Sequence, residues 1–275
     1  MTSSQNTKAS IVIVLNSLVY FLLAYFFVIT ISNVFSILMG KISGFNGILY
    51  YYGFEFLEDN TRWAKGNIFL IFGLGIGITF FMGVAFERWY KKIRRQYIKA
   101  KLFILWVCII SFTWFFGNIV VGAFLNFGLG AAMRAFSIPF FMRIVAAIVA
   151  STALVGLGYY FKIHVFISSN MYYRQLPHSK LDSFFFKQII IPALLGILIV
   201  MLFKYPHSSK YQYMDILCLL PFIFIGFGGL IERSVFPSLR KSRKYDTFKI
   251  NFQSLFFLLI LLAAYRFGLA DGLHF

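Results

Sequence analysis

Two arginines, Arg134 and Arg143, are the only charged residues of either sign between Lys101 and Lys162. Their neighbours in "FLNFGLGAAMRAFSIPFFMRIVAA" are almost entirely apolar. A guanidinium presents a planar fork of donors that grips a phosphate or carboxylate through two hydrogen bonds. A charge at membrane depth is costly, so it needs a partner or a functional reason. Three acids in one stretch, Glu55, Glu58 and Asp59, are candidate partners or acid–base groups. Asp271 is a fourth carboxylate available to pair. Asn118, in "SFTWFFGNIVVG", is a deep amide that either bonds across helices or lines a path. Together, Arg134, Arg143, Asn118, Glu55, Glu58 and Asp59 make a candidate anion or substrate site. The opposite reading is structural pairing, with the arginines snorkelling to headgroups.

No catalytic residue follows from any motif. The chain has no HExxH, no P-loop and no serine-nucleophile pattern within an apolar segment. Its last segment has no lysine for a retinal Schiff base. Its four histidines, His164, His178, His207 and His274, have no ligand spacing. No metal and no cofactor is therefore expected. His164 reads as an interfacial residue at a helix end. Cys108 and Cys218 both lie in apolar runs and read as small buried hydrophobes.

The elements that position these residues are apolar helices. The 275 residues are 60% apolar and 13% charged, with a mean hydropathy of +0.80. Soluble domains carry about 25% charged residues. A membrane helix needs about 20 apolar residues, and seven segments qualify or nearly so. They are roughly 10–38, 67–86, 102–125, 137–161, 187–203, 214–232 and 251–268. The expected fold is an all-α polytopic bundle of about seven transmembrane helices in a single domain, 1–275. The first segment reads as an uncleaved signal anchor.

Orientation follows from lysine and arginine in the connections. Lys8 and the segments 88–101, 162–187 and 233–249 hold 18 of the 26 basic residues. The alternate connections hold 8. The formal charge of +17 is thus read as topology rather than nucleic-acid binding. It gives an N-in, C-out arrangement in a bacterial plasma (inner) membrane. The outside loop 40–66 contains "LYYYGFEF", which is aromatic enough to lie along the interface. Gly128, Gly130, Ser137 and Pro139 break the apolar run and place Arg134 in an outer turn. Arg143 then sits one turn into the fourth helix.

Small residues recur at helical spacing. Gly73 and Gly77 form one row, and Gly75, Thr79 and Gly83 form another. Ala146, Ala150 and Ala153 make a row in the fourth segment, beside Ala147, Ser151 and Gly158. Such rows let membrane helices approach closely. Two functional readings remain. One is a non-enzymatic transport component, permease-like subunit or scaffold, partnered by the bilayer and by other membrane subunits or further copies of itself. The other is an integral-membrane enzyme acting on a lipid-linked or phosphorylated substrate at the outer leaflet.

Overall fold

The computed structural model describes residues 3–58, 63–94, 100–173, 176, 178–205, 216–232 and 249–275. Helix α1 (Ser3–Ile42) has 40 residues, about 60 Å at 1.5 Å per residue. It is followed by strands β1 (Gly47–Tyr50) and β2 (Gly53–Phe56). Helices α2 (Lys65–Ile93), α3 (Ala100–Phe124), α4 (Leu129–Ala135), α5 (Phe140–Ser168) and α6 (Leu181–Lys204) come next. The chain ends with α7 (Ile216–Leu230, interrupted at Leu220–Pro221), α8 (Phe252–Gly268) and β3 (Leu273–His274).

Five helices, α1, α2, α3, α5 and α6, are long and apolar enough to cross a membrane. The two shorter apolar helices, α7 and α8, coincide with the sixth and seventh expected segments. The chain therefore reads as a multi-pass membrane protein built as a helical bundle. Helix α3 is its centre. Leu102 and every residue from Ile104 to Thr113 are buried, and α1, α2, α4 and α5 pack around it.

The hairpin is the departure from an all-helical reading. Residues 47–56 form a β-hairpin rather than a helix. They pair antiparallel, Ile48 opposite Glu55 and Leu49 opposite Phe54. β3 adds to the other edge, Ile48 opposite His274, giving the order β2-β1-β3. Gly272 makes this possible: its φ is +79°, and a side chain there would sit 2.5 Å from Ile48. The C-terminus thus lies at the hairpin end of α1, opposite Ser3.

Both α2 and α6 contain a π-helical turn, Phe69–Leu74 and Phe186–Ile190. A π-turn disturbs the regular i→i−4 ladder, and in α6 Pro192 also removes the N–H that Gln188 O would receive. Helix α1 bonds at or beside both turns. Ser17 Oγ donates to Gln188 O, and Ser32 Oγ donates to Gly75 O at 3.1 Å.

Glycine placement shows which rows meet a neighbour within the chain. Gly73 lies nearest Phe69 of its own helix, and nothing lies within 4 Å of where a Gly77 side chain would begin. The neighbouring row does the packing, with Gly75 against Ser36 and Gly83 against Phe112. On α5 the buried row is Ala147, Ala150, Leu154 and Gly158. Ala150 belongs to it, while Ala146 and Ser151 are half-buried beside it.

Candidate functional site

The residues read as an anion site fall in separate local environments. Arg134, at the end of α4, is exposed and donates Nη2 to Phe124 O at 2.7 Å. It therefore caps the C-terminal end of α3, where cations are favoured. Glu58 accepts from the Asn46 backbone N–H at 2.8 Å and from Asn46 Nδ2 at 2.9 Å, which fastens the base of the hairpin. Glu55 stands in β2 opposite Ile48. Asp59 lies outside the described residues. Asn118 is buried and donates to Trp114 O, one turn back on its own helix, at 2.8 Å. Its Oδ1 faces Gly128, whose φ is +51°. It thus supports the turn into α4 rather than bridging two long helices.

Arg143 keeps its interest. It sits in the first turn of α5 with its guanidinium carbon 5.4 Å from the Phe140 ring centroid. Its Nε and Nη1 are buried and have no hydrogen-bond partner. Among the described residues no carboxylate pairs with it.

Two polar clusters escaped the sequence reading. The first is deep. Trp106 Nε1 donates to Ser17 Oγ at 2.9 Å, Ser17 donates to Gln188 O, and Gln188 Nε2 donates to Ser168 Oγ at 2.8 Å. Four helices, α1, α3, α5 and α6, meet through these fully buried side chains. Its local signal was Pro192, four residues after Gln188 in an otherwise apolar run.

The second lies at the end of the bundle that carries Lys8. Glu87 of α2 accepts from Tyr160 of α5 and from Lys91 at 2.7 Å. His164 is 2% exposed. It stacks on Tyr90 with centroids 5.0 Å apart, and its Nε2 lies 3.8 Å from Glu87 Oε1. The i,i+4 spacing of Glu87 with Lys91 and of Tyr160 with His164 was the available signal.

Several lysines read as topology signals are also engaged. Lys101 donates to Asn170, and buried Lys162 reaches Ile231 O at 2.9 Å and Asp182 at 2.8 Å. Lys187 donates to Ser10 at 2.9 Å. They hold helix ends together at the basic end. At the opposite end, Arg266 does not pair with Asp271. It donates to Phe203 O at 3.0 Å and stacks on Tyr51.

Among the described residues, no group of three or more His, Cys, Asp or Glu side chains is placed to hold a metal ion. Compared with protein-family models, curated proteins and solved structures, the chain matches none of them significantly.

Proposed function

We propose that this chain is a non-enzymatic, multi-pass component of a bacterial plasma membrane. It works as a permease-like or transport subunit, or as a scaffold, within a larger assembly. The supporting observation is the Ser17–Trp106–Gln188–Ser168 network. Ser17, Trp106, Gln188 and Ser168, all fully buried, fasten α1, α3, α5 and α6 to one another, and Asn118 supports a turn. The outward face of α5, with Phe141, Val145, Ile148 and Val149 exposed, is left for lipid or a neighbouring subunit. The basic end, holding Lys8, Lys91, Lys101, Lys162 and Lys187, faces the cytoplasm in this reading.

The test is purification from native membranes in mild detergent, with the mass of the particle measured directly. A discrete assembly larger than one 31.8 kDa chain is expected. A lone chain that turns over a lipid substrate would overturn the proposal.

One observation favours the second reading, an outer-leaflet enzyme for a lipid-linked or phosphorylated substrate. Arg143 has buried, unpartnered nitrogens. Its weakness is the acid, because Glu58 is already engaged by Asn46.

A further inference from the structure

Helices α1 and α8 run side by side and in the same direction, joined at two levels. At the lower level Asn251 Nδ2 donates to Tyr20 Oη at 2.8 Å and to Ser254 Oγ at 2.7 Å. Ser254 Oγ lies 3.0 Å from the same Tyr20 oxygen. At the upper level Thr30 Oγ1 lies 3.1 Å from Tyr265 Oη. Tyr20 to Thr30 spans about 15 Å of helix, and Ser254 to Tyr265 about 16 Å.

Between these levels the helices do not close on each other. A cavity of about 630 Å³ remains, bounded on its third side by Ala100 and Phe103 at the start of α3. Its walls between the polar levels are Leu23, Phe27, Phe103, Phe257 and Leu261. Leu258 is the only buried residue of α8, so this helix rides at the edge of the bundle and the cavity opens sideways. The cavity lies within the reach of ligand-sized sites, and its length is about half of the roughly 30 Å hydrocarbon core.

The polar groups at its ends are hydroxyls and amides. Among the described lining residues none carries a charge. At the lower end Asn251 Oδ1 receives no hydrogen bond from a described residue, and the exposed side-chain amide of Gln253 makes none. Among the described lining residues a charged headgroup would find no counter-charge to offset its desolvation. A hydroxyl headgroup would find an acceptor and a donor there.

We infer that this cavity binds a membrane lipid with an uncharged hydroxyl headgroup, of the diacylglycerol kind. The headgroup lies against Asn251, Gln253 and Ser254. One chain runs between α1 and α8 towards Thr30 and Tyr265, to a depth of one leaflet. The site is independent of whether the chain works alone or in an assembly.

The test uses the full chain in phosphatidylcholine nanodiscs. Two probes are compared: a diacylglycerol with a photoactivatable acyl chain, and a phosphatidic acid with the same chains. The diacylglycerol is expected to label α1 and α8 peptides around Leu23 and Leu261 about ten-fold more strongly than the phosphatidic acid. Excess unlabelled dioleoylglycerol is expected to compete. Leu261→Trp, which fills the cavity, is expected to cut that labelling at least five-fold. Leu23→Trp provides the same test from the opposite wall should Leu261→Trp fail to fold. Equal labelling by the two probes would overturn the inference, as would stronger labelling by the phosphatidic acid. Labelling that survives the cavity-filling substitutions would overturn it as well.

Discussion

The guanidinium of Arg266 lies over the ring of Tyr51, with its central carbon 4.1 Å from the ring centroid. The same side chain donates to Phe203 O at 3.0 Å, near the C-terminal end of α6. One residue thus joins α8, the turn of the β1–β2 hairpin and α6. A cation over an aromatic face contributes about 0.5–2 kcal/mol. A cation near a helix C-terminus adds about 0.3–1 kcal/mol. Arg266→Ala is expected to cost about 2 kcal/mol in detergent unfolding measurements. Arg266→Lys should retain part of that, because it keeps the charge and loses the flat stacking surface. Equal losses for both would show that the planar fork, not the charge, holds the three elements.

The crossing of α5 and α7 is closer than any side chain allows. A β-carbon on Gly158 would collide with Ile225 O, and one on Gly228 with Val155 O. Gly158→Ala and Gly228→Ala are each expected to cost more than about 2 kcal/mol by forcing the helices apart. Gly77→Ala and Gly156→Ala, which meet nothing within 4 Å, should be neutral or gain up to about 1 kcal/mol of helix propensity. Melting temperatures of the four variants, compared side by side, check this.

Ser17 is a single hydroxyl with two duties. It accepts from Trp106 Nε1 at 2.9 Å and donates to the Gln188 carbonyl that Pro192 leaves without its helical donor. Ser17→Ala strands both groups in the core, and each buried unsatisfied group costs about 1–3 kcal/mol. A loss of about 2 kcal/mol is expected, with a change in Trp106 emission. Ser17→Thr keeps the hydroxyl and should recover most of it. If Ser17→Ala melts like the parent chain, the network does not hold the four helices together.

These three sites differ in how far the sequence revealed them. Apolar runs longer than about 17 residues made the five long helices readable, because the length a bilayer requires is a local property. The hairpin depends on pairing Ile48 with His274 across the whole chain, and no local pattern announces that. Small-residue rows marked α2 and α5 as helices with close-packing faces. A helix with glycines at both Gly73/Gly77 and Gly75/Gly83 does not say which row meets a neighbour. Lys101 and Lys162 were legible as charges at span ends, but their burial against Asn170 and Asp182 was not. Arg134 and Glu58 looked like members of one site only because both were outside charges. In the fold each is taken by a nearby helix end or turn.

The hairpin turn carries a pH signature. Tyr52 is buried beside Tyr50, their rings stacked with centroids 5.0 Å apart. Burial, reinforced by the charge of Glu55, pushes its phenol up from 10 to about 12. The folded state therefore favours the neutral phenol. That contribution is fully present below pH 10 and is lost as the pH rises towards 12. The melting temperature of the parent chain should fall more steeply between pH 10 and 12 than that of Tyr52→Phe. Superimposable profiles would count against a buried phenol at this turn.

Arg143 is the charge whose role a substitution can decide. Its Nε and Nη1 are buried without a partner, and the nearest aromatic face is Phe140 at 5.4 Å. A guanidinium left in that state does not stabilise the bundle. In neutral detergent, Arg143→Gln is expected to leave stability within about 0.5 kcal/mol of the parent chain, or to raise it, since it removes a buried charge that has no partner to lose. In nanodiscs containing phosphatidylglycerol, the parent chain should gain stability over phosphatidylcholine, because a bound anion adds to the folded state. Arg143→Gln should lose most of that gain. A loss of more than about 1 kcal/mol in neutral detergent would instead reveal a partner within the protein, and the anion reading of this residue would fall with it.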